Sequence, residues 1–423
     1  GPYYGFFVQD DWKVSNRLTL NLGVRYELFM VPTFPNPDTH ELNSTIGRFL
    51  TEVNGRPFGA GEGLKRGTPG AWGEAEFLPH FVRPTSSSDC GGCRQDLNNF
   101  APRAGLAYRL GEKTVIRSGF GLFYGEHDNV QGESARFNTG APFSNEFSNP
   151  QPRTTTDFFV RNGFPASTRT GLPRTGLSVN VKQDGVWPQF YATQWFFDIQ
   201  RELGFDTLLT IGYNGTATSQ MPDSVNINRP LTPHPTMRWQ DRTIRPFFNN
   251  VNLRGALFLN ANYNSLTVKA EKRFTRGFTF LGSFTWSHNI DYGNENLFQG
   301  TTSQSAFTYD RTYDRGNASL DRRLAFVMSS VYELPFGKGQ PYLNNGVGSW
   351  ILGNWQIGGI FSALGGTPDS HSINVNTTNV GGANRGMFVA PVNLPSSERT
   401  IDRWFNTAAV VPGPPGQIDP AGR

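Results

Sequence analysis

Six cations fall where their chemistry points to recognition rather than catalysis. Arg25, Arg103, Arg109, Arg117, Lys269 and Arg273 sit in the polar phase of segments whose alternate residues are apolar. On an extended strand, every second residue shares a face. Guanidinium groups held there offer forked donors that suit a carboxylate or a phosphate. They can line a path for an anionic ligand, or meet acidic residues of whatever fills the space they face. The plainer alternative is ion pairing with Glu27, Asp198, Glu202 and Glu271 on neighbouring strands, since opposite charges set across a sheet stabilise it.

Other chemistry-bearing residues form no catalytic set. Cys90 and Cys93 are the two cysteines, in the run Ser-Ser-Ser-Asp-Cys-Gly-Gly-Cys. A redox CxxC belongs beside a βαβ pattern, which the chain lacks. Two thiols are also only half of a structural zinc's ligands. The expectation is a small loop disulfide in an oxidising compartment. His288 precedes Asp291, and His127 lies between Glu126 and Asp128, but no HExxH or spaced ligand set occurs, which favours solvated loops. Asp291–Glu295 and Asp310–Arg315 offer oxygens for calcium without the ligand order of an EF-hand. Gly119-Phe120-Gly121 opens no helix and so is no phosphate loop; crowding or strand curvature explains such glycines better. No G-x-S-x-G elbow is present. We expect no catalytic residue, no cofactor and no metal.

Composition narrows the class of molecule that carries these cations. Charged residues make up 17% of the 423, aromatics 13%, and there are 35 Phe, 48 Gly and 29 Pro. Charge at that level is below the roughly 25% of ordinary globular domains. So many large rings need a very big core or a lipid-facing surface. Mean hydropathy is nevertheless −0.44, and no apolar run reaches the roughly 18 residues of a membrane helix. A transmembrane barrel resolves the conflict, because its apolar and polar residues alternate and average out. Net charge is +4 with no basic cluster, which argues against a nucleic-acid partner.

The alternation is explicit. Leu18, Leu20, Leu22, Val24 and Tyr26 share one phase; Arg17, Thr19, Asn21, Arg25 and Glu27 share the other. That is the period of a half-buried strand. Phe6 to Val14 precedes it in the same pattern, with Ser15-Asn16 as turn chemistry between the two. Similar hairpins are predicted around Gly111-Glu112-Lys113, around Gly204-Phe205-Asp206 and around Thr275-Arg276-Gly277. A fifth set runs from Leu324 to Leu334, ends at Pro335–Gly339, and continues with Trp350 to Ala363.

Connectors inside hairpins are short. Those between hairpins run roughly from Leu28 to Asn99, Gly125 to Phe190, Gly215 to Asn262 and His288 to Asp321. Structureless loops of that length are foreign to a compact soluble domain. Short periplasmic turns opposite long extracellular loops are the habit of outer-membrane barrels. The predicted fold is therefore all-β, a transmembrane antiparallel up-and-down barrel. Apolar rows would face lipid, polar rows a wet lumen, and Trp12, Tyr26, Tyr124, Tyr213 and Trp286 the interfacial belts.

Several segments resemble one family. Phe6-Phe7-Val8-Gln9-Asp10-Asp11-Trp12-Lys13-Val14, followed by Arg17-Leu18-Thr19-Leu20-Asn21-Leu22-Gly23-Val24-Arg25-Tyr26-Glu27, resembles the barrel hairpin of TonB-dependent receptors, especially the Oar-like branch. Asn98–Arg103 with Thr114–Gly125, Gln194–Leu203 with Gly212–Gly215, Tyr263–Leu266 and Asp321–Leu324 are similar to later elements, in the expected order. The resemblance implies energised uptake: a plugged barrel of roughly 22 strands, pulled open by the TonB complex of the inner membrane. About a dozen strands are legible, fewer than such a barrel needs. No plug and no TonB box can be read.

The expectation from sequence is thus residues 1–423 as part of a single barrel domain, both ends cut. It would sit in the outer membrane of a Gram-negative bacterium, in contact with outer-membrane lipid. TonB would act through a plug absent from this chain, and the ligand would be an unknown bulky nutrient: a glycan, a peptide or a metal chelate. The alternative is a passive porin-like or a structural, adhesive barrel. A secreted β-sandwich binding module or hydrolase would instead be soluble without detergent.

Overall fold

Period-two patterning favours extended backbone, because a strand alone places all apolar side chains of such a segment on one surface. In the computed structural model the patterned segments are strands: β1 (Tyr3–Lys13), β2 (Leu18–Phe29), β3 (Phe100–Arg109), β4 (Thr114–Tyr124), β5 (Tyr191–Leu203), β6 (Thr207–Asn226), β7 (Phe248–Thr275), β8 (Phe278–Asp291), β9 (Leu324–Glu333) and β10 (Gln356–Leu364). The structure describes residues 2–30, 93–125, 188–226, 228–242, 248–275, 277–292, 314–368, 375–382 and 386–417, with the short pieces 40–42, 52–53, 56–57, 82–84, 177–182, 185–186 and 373. The ten strands follow one another in a single sheet, each antiparallel to the next. The sheet is not closed among the described residues, and β1 and β10 are the ends of its path.

Register carries the local pattern across the whole sheet. One row runs Leu18, Tyr108, Ile116, Ile199, Ile211, Val268, Phe284, Phe326 and Ala363, each paired with the next through nine strands, and no member carries a charge. The adjacent row on the opposite face reads Thr19, Ala107, Arg117, Asp198, Gly212, Thr267 and Thr285. Slipping one strand by a single residue would put Arg117 among the isoleucines. The five predicted belt aromatics all fall on the apolar face, where Phe6, Tyr26 and Phe100 pair in line and Tyr124 pairs with Tyr191.

The predicted turns stand where the sequence puts them. Ser15 Oγ accepts the amides of Arg17 and Leu18, at 3.2 and 3.1 Å, tying the β1–β2 turn. Phe205 and Asp206 take positive φ, 63° and 56°, in the β5–β6 turn. Gly277 has φ +76° between β7 and β8, and a side chain there would be strained as well as pressed against the Glu333 carbonyl, 3.2 Å from a built Cβ.

Three expectations change. Trp350 does not begin a strand: Gly346–Leu352 forms a short helix, α1, and β10 starts at Gln356. Gly346 opens this helix with φ +77°. The stretch from Gly215 to Asn262 is mostly not a loop, because β6 extends to Asn226 and β7 begins at Phe248. The pattern was hidden by bulges between Thr218 and Val225, with Gln220 at φ 59°. A bulge adds one residue and inverts the phase of everything after it. At 28 residues and about 3.3 Å each, β7 is far longer than the 9–11 residues that cross a bilayer. Finally, the 125–190 connection contains Leu177–Lys182, a strand parallel to the start of β7.

Beyond the ends opposite the short turns, residues 228–242 pack against 375–417. His234 N donates to Thr378 O at 3.0 Å, Asn379 Nδ2 to His234 O at 2.9 Å, and Gly416 N to Thr377 O at 2.7 Å. Val380, Leu394 and Ala409 are buried within this cap.

Candidate functional site

The polar face dips where four glycines from three strands meet. One row of pairs runs Asn21, Gly105, Gly119, Phe196 and Asn214; the next runs Gln9, Gly23, Arg103, Gly121, Gln194 and Thr216. With no side chains on Gly23, Gly105, Gly119 and Gly121, the backbone becomes the floor of a recess of about 450 Å³. A Cβ built on Gly119 would fall against the Phe196 ring, and one on Gly121 would stand 2.9 Å from the Phe123 ring. The two rings therefore fill space that only glycine leaves. This resolves the choice between crowding and curvature for these glycines in favour of crowding.

Arg103 and Arg117 both line this recess. The Arg103 guanidinium carbon lies 4.6 Å from the centre of the Phe123 ring. Arg117 pairs in register with Asp198 on β5 and with Ala107 on β3. Both arginines are exposed, and neither forms an ion pair within 4 Å among the described residues. Asn21, Gln194, Asn214 and Thr216 supply amides and a hydroxyl around them. The arrangement can bind an oxyanion by forked hydrogen bonds and stack a flat or apolar surface on phenylalanine.

Of the other four predicted cations, Arg25, Lys269 and Arg109 have side-chain partners elsewhere, and Arg273 lies away from the recess. Arg25 Nε donates to Glu27 Oε1 at 2.6 Å and Arg25 Nη2 to the Tyr3 hydroxyl at 2.6 Å, while that hydroxyl donates to Glu27 Oε1 at 2.8 Å. Lys269 Nζ lies 3.2 Å from Glu271 Oε2. Both pairs join residues two apart on one strand rather than neighbouring strands, because side chains at i and i+2 share a face. Arg109 Nη2 donates to the Asn16 carbonyl at 2.6 Å and so clamps the β1–β2 turn. Arg273 is exposed in the register shift before Thr275, its backbone amide donating to Asp206 O at 3.1 Å.

His288 is not a free loop residue. Its Nε2 sits 2.7 Å from Arg323 Nη2 and 3.0 Å from Asn317 Oδ1 at the end of β8. Among the described residues no three His, Cys, Asp or Glu come together as a metal site. Cys90, Glu126, His127, Asp128, 293–295 and 310–313 lie outside the described residues, and of Cys93 only the backbone is described, in a parallel pair with Gly185. The sequence did not single out Phe123, Phe196, Gln194, Asn214 or Thr216; its available signal was the glycine doublet on β4 facing single glycines on β2 and β3.

A continuous uncharged apolar row on one face, a polar recess on the other and no long apolar helix together describe a wall between lipid and water. A family model described as "outer membrane beta barrel domain" matches residues 1–423. The chain belongs to that family. It is therefore a protein of the Gram-negative outer membrane, with β1–β10 as barrel wall. Among solved structures it is similar to the alcaligin outer membrane receptor FauA from Bordetella pertussis, at 11% identity and a TM-score of 0.37, over 86% of this chain and 37% of that one. It is similar to the FrpB iron transporter from Neisseria meningitidis at 10% identity and 0.35, over 78% and 30%. For the copper transporter OprC the values are 9% and 0.34, over 78% and 32%. The chain spans about a third of the length of these structures. No curated protein sequence matches it.

Proposed function

We propose that this barrel chain is part of the wall of a TonB-dependent receptor that takes up a bulky nutrient, and that its polar face lines the lumen. The observation that carries this reading is the recess with Arg103 and Arg117 exposed over a glycine floor. Arg25 and Lys269 pair off along their own strands; Arg103 and Arg117 are the two predicted cations that share the recess. The ordered resemblance of the hairpin motifs supports energised transport by the TonB complex through a plug. Further strands would complete the barrel beyond β1 and β10, since open sheet edges do not persist in hydrocarbon. The nutrient is a glycan, a peptide or a metal chelate, carrying an anionic group that the two arginines meet. The chain acts as a transporter and not an enzyme.

The test is uptake by cells carrying the complete gene, with and without a working TonB complex. Import that stops without TonB, and falls on Arg103→Gln with Arg117→Gln at unchanged surface abundance, supports the proposal. Import that continues without TonB would make the barrel a passive porin. A lack of import, with cell adhesion changed by deletion, would make it a structural or adhesive one.

A further inference from the structure

The chain that enters β3 is strapped to the external end of β2. Gln95 Nε2 donates to Phe29 O at 2.6 Å, the Tyr26 hydroxyl to Leu97 O at 3.2 Å, and Glu27 N to Asn99 O at 3.0 Å. Asp96 turns the chain between these bonds. Its Oδ1 accepts the Asn98 amide at 3.2 Å, and its Oδ2 reaches the Gln189 amide at 3.4 Å, just ahead of β5. Phe190 follows: its carbonyl accepts the Gly125 amide at 2.8 Å, and its ring lies where a Cβ on Gly125 would stand. The ends of β2 and β4 and the approaches to β3 and β5 therefore meet in one junction.

Polar groups are sealed into this junction. Glu27, Asp96, Asn99 and Gln189 are all buried, Asp96 to 3% exposure and Asn99 to 0%. A buried charge is costly unless it is paired. Asp96 nevertheless forms no ion pair within 4 Å among the described residues, and its oxygens accept only the two long backbone bonds just given. The partners of Glu27, Tyr3 and Arg25, both meet Oε1 and leave Oε2. Asn99 is the more telling residue: neither its Oδ1 nor its Nδ2 has a hydrogen-bond partner. Buried side-chain polar atoms of folded proteins are in large majority hydrogen-bonded, so this amide faces a ligand. Its place in the chain sets it between the two acids, three residues past Asp96 in the same turn and bonded through its carbonyl to Glu27. A water would satisfy Asn99 but leave the charge of Asp96 uncompensated; a cation answers both.

We propose that the Asp96 carboxylate and Asn99 Oδ1, with Glu27 Oε2 from β2, bind one calcium ion that locks the entrance of β3 to its neighbours. Calcium accepts carboxylate, amide and water oxygens in a flexible shell of six to eight ligands, whereas magnesium demands a near-ideal octahedron. Two acids and an amide from separate segments suit the first better than the second. No spaced motif marks the set in the sequence, because Glu27 belongs to a different hairpin from Asp96 and Asn99. The site is independent of what crosses the lumen and of any dependence on TonB.

The test uses the full-length protein extracted in mild detergent, stripped with EDTA and titrated with calcium or magnesium by equilibrium dialysis. Wild-type protein should bind calcium with a Kd of about 10⁻⁴–10⁻³ M, the range of extracellular calcium modules, and magnesium more weakly. Asp96→Asn and Asn99→Leu should each lose one calcium per chain, or weaken it about ten-fold, while keeping the heat-modifiable mobility of a folded barrel. The temperature at which that mobility is lost should rise with calcium in the wild type and stay fixed in both variants, since a ligand stabilises only the state that binds it. Wild-type protein whose melting ignores calcium would overturn the proposal without any variant and leave a buried water as the occupant. Equal calcium on the wild type and a folded variant would also overturn it, as would magnesium binding as tight as calcium, the mark of a diffuse acidic surface.

Discussion

The ring of Phe196 on β5 occupies the space that a Cβ of Gly119 on β4 would need, and the two residues are direct partners in the register. An aromatic ring laid over a cross-strand glycine covers backbone that would otherwise be bare, and pins the pairing of the two strands.

That contact makes Gly119→Ala a specific lesion. The added methyl should displace the ring and cost about 1–3 kcal/mol, the usual range for overpacking. Urea unfolding in lipid vesicles measures it. Phe196→Ala in the Gly119→Ala background should recover part of the loss, since residues in contact are not additive. Strict additivity would show that the ring and the glycine are not coupled.

The two faces predict opposite responses to one substitution at neighbouring positions. Val268 lies in the apolar row and Thr267 in the polar one. Val268→Arg should lower stability in a bilayer by about 2–4 kcal/mol if it lies near the midplane. Thr267→Arg should be tolerated far better, with polar neighbours and water to receive it. Equal penalties would mean that the faces are wrongly assigned.

Glu27 gathers Tyr3 and Arg25 at the external end of β1 and β2. Its side chain is 10% exposed, so Glu27→Ala leaves two donors without their shared acceptor. The expected loss is on the order of 1–3 kcal/mol, read from unfolding, with faster amide exchange in β1. Tyr3→Phe removes one bond and should cost less.

Asp321 joins β8 to the segment that enters β9, through the Asn289 amide and Arg323. Asp321→Asn keeps the size but removes the charge opposite Arg323. Exchange protection at the Asn289 amide should fall, while Phe284 and Phe326, deeper in the same strand pair, keep theirs. Loss of protection along the whole pair would instead indicate that this junction nucleates both strands.

Alternation determined, from sequence alone, which residues of Leu18–Glu27 or Phe278–Ser287 share a face, because period two is a property of the extended backbone and needs no partner. It likewise showed the hairpin turns and the lipid-facing aromatics. Three things were decided only by tertiary structure. The strands β6 and β7 run past Gly215 and Asn262 because bulges invert the phase, which hides a strand from any periodic reading. Arg25 and Lys269 pair along their own strands while Arg103 and Arg117 stay exposed, a choice set by which side chains lie beside each. The recess itself exists because register brings Gly23, Gly105, Gly119 and Gly121 side by side from three strands, beneath rings from β4 and β5. Register is fixed by pairing between residues far apart in the chain, and no local pattern encodes it.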